Sequence, residues 1–289
     1  MRHRVHCAWP AASSPGAGAD RVLRIIAMAL LLFMTGIVVA ADDSFDRSHA
    51  SWSDLLARHV QWNASGTASR VDYAGFAADT KGLSAYLGNL ARVDERTFRG
   101  WSKADRDAFL INAYNAATVQ LILTRYPDLK SIKDLGGLFS SPWKKEFVDL
   151  LGQRRSLDSI EHGLLRGASD YTDPRIHFAV NCASVGCPAL RPEAFVGDRL
   201  DSQLEDQTTR FLRDRNRNRL AADGRSLQVS KLFDWYGADF DAHAGGVRSF
   251  LANHAAALGL DAATADKLRK DQLAIGYTEY DWSLNGPRQ

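Results

Sequence analysis

The sequence has little of what usually gives a function away. It has no glycine-rich phosphate loop, no helix carrying paired metal ligands and no Gly-x-Ser-x-Gly elbow, so kinase, zinc-protease and serine-hydrolase chemistry has no foothold. It has no internal repeat and no low-complexity block. After Asp43 it has no linker rich in Pro, Gly and Ser, so one globular domain over 42–289 is the economical reading. Cysteine is scarce, three in 289 residues. The formal charge is only +2, and even that small excess belongs to the front of the chain.

Long apolar runs are absent except one. Arg21 and Arg24 precede IIAMALLLFMTGIVVA, from Ile25 to Ala40, and Asp42-Asp43 follow. This is the order of a secretory signal peptide. The run is short for a membrane span, which needs about 20 apolar residues. Cleavage is expected after Ala40 or Ala41, leaving a periplasmic or secreted product without a membrane span. Neither site is followed by cysteine, which excludes a lipoprotein. The residues before Arg21 read as unstructured, as an upstream misassigned start would give. Residues 1–41 hold four Arg and one Asp; without them 32 Lys and Arg face 33 Asp and Glu, a net of −1. Nothing then argues for a nucleic-acid partner. The one remaining basic run, FLRDRNRNRL (211–220), is diluted by Asp and Asn and reads as a solvated helix end.

Helices are expected early in the chain. SWSDLLARHV places apolar residues at 52, 55, 56 and 60, and FAADTKGLSAYLGNLARV at 76, 83, 86, 87 and 90. Ser102 can cap, and Pro127 stop, a helix so apolar in its interior that it should be the central buried one. Later segments change character. EFVDLLGQRRSL and RLAADGRSLQVS read as hairpins, the second turning at Asp223-Gly224. DSIEHGLLRG reads as a helix capped by Asp158, and RIHFAVN as a buried strand. DRLDSQLEDQTTRFLRD and GGVRSFLANHAAAL read as helices, and QLAIGYTEYDWSL as a closing strand. The fold class is therefore α+β, with early helices on a small, mostly antiparallel sheet.

HFAVNCASVGCP (177–188) carries the chemistry. Cys182 and Cys187 are the cysteines left after the leader, an even pair in an oxidising compartment. On a strand, His177 and Cys182 would point apart, so a base for Cys182 is expected elsewhere, with His162 the obvious candidate. Cys187 before Pro188 could cap a helix, whose dipole would lower the thiol pKa. Three readings stay open: a disulfide, a reactive cysteine with a histidine base, and a zinc site built from His162 or His177 with both sulfurs. Asn112, Tyr114 and Asn115 are polar in an apolar helix and need partners, either a neighbouring backbone or a substrate. Arg175 beside Asp173 is an ion pair or an anion clamp. In KLFDWYGADF, Phe233, Trp235 and Phe240 are expected in the core and Asp234 at a cap or turn; a pocket wall is the sharper alternative. His49, His59, His243 and His254 are expected at the surface.

FLINAYNAATVQLIL, SLDSIEHGLLR, DPRIHFAVNCASVGCP, SKLFDWYGADF and YDWSLN occur in that order. Together they resemble the domain of unknown function 547 family, from about Ser51 to Asn285. The resemblance implies an exported bacterial member and a shared site at Asn112, Tyr114, Asn115, Glu161, His162, Arg175, His177, Cys182, Cys187 and Pro188. It implies no settled activity. Two functions follow as expectations. One is a thiol-dependent hydrolase or acyl transferase on a peptide or cell-envelope substrate. There Cys182 or Cys187 is nucleophile, His162 or His177 base, Glu161 or Asn115 an orienter, and Asn112, Tyr114, Asn115 and Arg175 substrate contacts. The other is a non-catalytic binding module whose Cys182–Cys187 disulfide is structural. No cofactor is expected in either. A partner would be a peptide, an envelope component or another protein.

Overall fold

A computed structural model describes residues 45–137 and 140–287. The leader and its expected cleavage site lie outside the described residues. From Phe45 onward the chain forms one compact unit.

The first half is helical: α1 (Ala50–His59), α2 (Tyr73–Ala78), α3 (Thr80–Ala91), α4 (Glu95–Arg99) and α5 (Lys103–Leu123). A short antiparallel hairpin, β1 (Val60–Trp62) with β2 (Ser69–Val71), interrupts them. The Ser102 side chain caps α5 by accepting the Asp105 N–H. Every residue of α5 from Asp107 to Val119 is buried, so this helix is the axis on which the other elements pack. The second hairpin pairs β3 (Val148–Leu150) with β4 (Gln153–Arg155). Its turn residues Leu151 and Gly152 both have positive φ, 54° and 72°, as a two-residue hairpin turn of matching twist requires.

The later half holds α6 (Leu200–Arg213), β5 (Arg219–Leu220), β6 (Ser226–Val229), α7 (Leu232–Trp235) and α8 (Gly237–His243). It continues through α9 (Val247–Asn253), α10 (Ala255–Leu258), α11 (Ala262–Arg269) and β7 (Ala274–Tyr277). Strand β6 pairs antiparallel with β5 and parallel with β7. The fold is α+β with small, mostly antiparallel sheets, as the pattern of segments implied.

Several local expectations fail for physical reasons. Residues 73–91 form two helices, not one, because Asp79 turns aside to bind His59 at 2.6 Å and Arg58 at 3.1 Å. The helix expected over 245–258 is likewise divided at His254. RIHFAVN is no strand: Pro174–Phe178 is a 3-10 turn. Asp173 caps it by accepting the Arg175 N–H, and Pro174 presets its first φ. A continuous apolar run carries no period, so nothing in it favoured a strand over a buried turn. Ser159–Leu165 is π-helical, and Asp158 does not cap it. The closing strand is shorter than expected, since 278–283 is irregular.

Some side chains also lie elsewhere than expected. His49 is 2% exposed, with Nδ1 2.7 Å from the Tyr86 hydroxyl. Trp235 is 45% exposed and is not a core residue. In the basic run, Arg215 and Arg217 are clamps: Arg215 donates to the carbonyls of Leu212, Asn218 and Ala257. Arg217 donates to the Val185 carbonyl and pairs with Asp214.

The apolar interior falls into two clusters. The first surrounds α5; the second is a stack of Phe178, Phe211, Phe233, Phe240 and Phe250 with their neighbours. Ile176 and Ala179 belong to the first, and Phe178 to the second. The 3-10 turn therefore runs along the seam between the clusters, and His177 sits on it.

Candidate active site

Three segments meet at the seam: the π-helical turn with Glu161, His162 and Arg166, the 3-10 turn with His177, and the α7–α8 junction with Tyr236 and Asp239. The His177 side chain has no exposed surface. Its Nε2 is 2.8 Å from Asp239 Oδ2, and its ring stacks on Tyr236 with centroids 3.7 Å apart. Asp239 also takes two bonds from Arg166, each 2.7 Å, and one from the Tyr171 hydroxyl at 2.8 Å. Desolvation acts to raise the Asp239 carboxyl, but these donors hold it far below the usual carboxylate range. Desolvation lowers the His177 pKa, and the Asp239 bond opposes it only in part.

The tautomer follows from this network. An ionised Asp239 can only accept, so the neutral imidazole carries its hydrogen on Nε2. Nδ1 then presents a lone pair, and it is buried without a hydrogen-bond partner. Such an orphaned acceptor calls for an explanation, and a ligand supplies one: His177 lines a cavity of about 370 Å³.

Both sulfurs, Glu161, Tyr114 and Tyr236 line the same cavity, with His162 and Asp158. Glu161 is 5% exposed and accepts the Tyr236 hydroxyl at 2.7 Å. Burial first, and then the neighbouring Glu161 charge, pushes the Tyr236 phenol well above its ordinary pKa. Tyr114 on α5 shares Glu161 as a partner and is raised in the same way. One wall is aromatic: Trp143, Trp235, Tyr280 and Trp282. Tyr280 lies 4.5 Å from Trp282 and 4.8 Å from Trp235, centroid to centroid.

Cys182 and Cys187 form a disulfide with Cα atoms 6.1 Å apart, inside the usual range. Neither histidine is bonded to a sulfur. The sulfur partners are Ser184, Tyr280 and the Cys182 N–H. No strand separates His177 from Cys182, so the alternation that favoured His162 as base has no basis. His162 is 39% exposed at the side chain, 4.0 Å from Asp158, and binds Arg166 through Nδ1 at 2.7 Å. Nor does Cys187 cap a helix, because 188–196 is irregular. Among the described residues, no group of three or more His, Cys, Asp or Glu is placed to hold a metal ion.

The polar residues of α5 divide. Tyr114 reaches the cavity. Asn112 bonds the backbone of Phe195, donating at 2.7 Å and accepting at 3.1 Å. Asn115 donates to the Ala179 carbonyl at 3.0 Å and accepts the Asn181 N–H at 2.8 Å. It thereby satisfies an irregular backbone that no strand covers. Arg175 binds Asp173, Asp201 and Glu205 and does not line the cavity.

Residues 98–212 match the family described as a protein of unknown function, DUF547. The match spans 115 of the 289 residues. No curated protein and no solved structure matches the chain. The matched segment contains Tyr114, Glu161, His162, His177, Cys182 and Cys187. Tyr236, Asp239, Tyr280 and Trp282 lie after it in sequence and complete the same site. The sequence singles out none of these four by itself, though the pocket-wall alternative for KLFDWYGADF holds for Trp235 and Tyr236, which line the cavity. The signal available was weak: Tyr236 and Asp239 stand in KLFDWYGADF, where aromatics and acids mix at a spacing that also suits a core.

Proposed function

We propose that the cavity is the active site of an exported, thiol-dependent hydrolase or acyl transferase acting on a peptide or cell-envelope substrate. One observation carries this reading: a buried His177 Nδ1 without a partner, on a residue that lines the same cavity as Cys182 and Cys187. Asp239 orients the imidazole through Nε2, and His177 is the base. A thiol of the cysteine pair is the nucleophile once two equivalents of an external thiol have reduced the disulfide and left as their own disulfide. Its thiolate attacks the acyl carbon, the leaving group takes a proton from the His177 imidazolium, and water or an amine resolves the thioester. Glu161, fixed by Tyr236, and the aromatic wall hold the substrate. In this scheme Asp239 fills the orienting role that Glu161 or Asn115 was expected to fill.

The closed disulfide favours a second reading, a binding module in which the bond is structural and the cavity only holds its ligand. A generic acyl donor, p-nitrophenyl acetate, separates the two. The reduced protein should release a stoichiometric burst of nitrophenol and the oxidised protein none. His177→Gln, with its fold verified by circular dichroism, should slow the reduced protein roughly 10²–10⁴-fold. Equal release from oxidised, reduced and His177→Gln proteins overturns the enzyme reading.

A further inference from the structure

The two sulfurs of the disulfide are not equivalent. Cys182 is half-buried at the cavity, whereas Cys187 is 3% exposed. Hydrogen-bond donors converge on Cys187: the Cys182 N–H at 2.9 Å and the Tyr280 hydroxyl at 3.1 Å, with the Ser184 hydroxyl, which donates to Tyr280, also within 3.3 Å. The two hydroxyls also reach Cys182 at 3.2 Å each, but the backbone N–H serves Cys187. Burial pushes Tyr280 up to about 12, so at neutral pH the phenol keeps its proton and donates. Gly186 lets the ring come this close, since a Cβ there would lie 2.9 Å from it. The nearby charges are the Arg217 guanidinium, which holds the loop at the Val185 carbonyl, and Glu161; both act on Tyr280.

A pair with one accessible sulfur, and one buried sulfur already surrounded by donors, is arranged for exchange. We propose that the Cys182–Cys187 disulfide is an exchange site for a small cysteinyl thiol, with Cys182 the sulfur attacked and Cys187 the leaving group. The incoming thiolate forms a bond to Cys182 Sγ, the bond between Cys182 and Cys187 breaks, and its electron pair leaves on Cys187 as a thiolate beside the Cys182 N–H and the Tyr280 hydroxyl. A second small thiol attacks the mixed disulfide and releases Cys182. Two thiols are oxidised to one disulfide, and the protein gains two electrons. The site is a cavity wall, not a convex surface, so a thiol on a small molecule fits it and a thiol on a folded protein does not. This activity does not depend on acyl transfer. Both readings need the bond to open in the folded protein, but an adduct on Cys187, or opening by thioredoxin and not glutathione, would sink this one and leave the hydrolase standing, and absence of acyl transfer would do the reverse.

The probe is glutathione, applied to the oxidised mature protein with an acid quench, alkylation and peptide mass mapping. Glutathione should open the bond faster in the folded protein than in the protein unfolded by urea. With oxidised glutathione, the Cys187→Ser variant should form its mixed disulfide at Cys182 readily. In a Cys182→Ser variant, Cys187 should react slowly yet titrate below an ordinary thiol. Adding Tyr280→Phe to that variant should raise the Cys187 pKa by about one unit, the loss of one hydrogen bond to a charged group. In the otherwise unchanged protein, Tyr280→Phe should slow exchange about threefold, from a Brønsted slope of roughly 0.4–0.5. A Tyr280 that serves only as packing would leave the thiol titration unmoved. Ser184→Ala, a smaller change in the same network, should move both readouts in the same direction and serves if Tyr280→Phe does not fold. The inference is overturned if the bond opens only on unfolding, if Cys187 carries the adduct, or if reduced thioredoxin opens the bond and glutathione does not.

Discussion

Asp239→Asn replaces one carboxylate oxygen by an amide NH2 at nearly constant shape. Oδ2 receives three donors, from Arg166, Tyr171 and His177, and Oδ1 receives one, from Arg166. The amide should therefore turn its NH2 toward the single donor and keep oxygen at Oδ2. His177 then keeps its hydrogen on Nε2, and what is lost is charge. Removing one partner of a buried ion pair costs about 3–5 kcal/mol. The Arg166 side chain remains 26% exposed, so water recovers part of that and a loss of about 2–4 kcal/mol is expected. The sign with pH is fixed. Asp239 titrates below its unfolded value, so its contribution is complete above about pH 4 and disappears as pH falls through the folded value. Urea denaturation of both proteins should show a gap of that size at pH 7 that narrows as pH drops below about 4. The Asp239 bond and charge raise the His177 pKa, so in the variant ¹⁵N resonances of His177 should titrate at lower pH than in the parent. A gap under about 0.5 kcal/mol, a gap constant with pH, or a His177 titrating higher in the variant would refute this account of the pair.

Three further outcomes are expected. His49 is buried and neutral, with its pKa pushed by burial down to about 4. Its contribution is therefore whole above pH 6.5 and is lost as pH falls toward 4, about 3 kcal/mol in all. His49→Asn, which tolerates the φ of 50°, should flatten the stability profile across that window. Asn112→Ala should destabilise by about 2–5 kcal/mol, because the Phe195 N–H and C=O are both left unpaired in the interior; chemical denaturation measures it, and a loss below about 1 kcal/mol counts against the clamp. N-terminal sequencing of exported protein should begin near Ala41 or Asp42, and a mature form retaining residues 25–40 in the cytosol would end the secretion reading.

Elements with a clean local signal were legible in the sequence. The cap at Ser102, the stripe at 52, 55 and 56 and the turn at Asp223-Gly224 each fix their structure through nearest neighbours. The cysteine block was legible as a site because its residue types are chemically unusual together. What was not legible depends on distant partners. Asp239 is an ordinary helical acid until Arg166, Tyr171 and His177 converge on it from 62 to 73 residues away. RIHFAVN has no period, so its conformation is decided by Asp173, Pro174 and the side chain of Asn115. His49 reads as a surface residue beside Arg47 and Ser48, and only the position of Tyr86 shows that it is interior.

The segment 280–285 closes the cavity from far along the chain. Gly186 and Val185 donate to the carbonyls of Asp281 and Ser283, Asn285 donates to the Ala183 carbonyl, and Tyr280 lies 98 residues beyond Cys182. Order of synthesis therefore matters. A growing chain that has reached about residue 270 already contains both sulfurs, both histidines and Asp239, yet lacks Tyr280 and Trp282. At that stage the cysteine loop lacks its backbone partners at 281–285 and its phenol donor. The phenol donor is a late acquisition, made when the last wall is laid against a bond that can already exist.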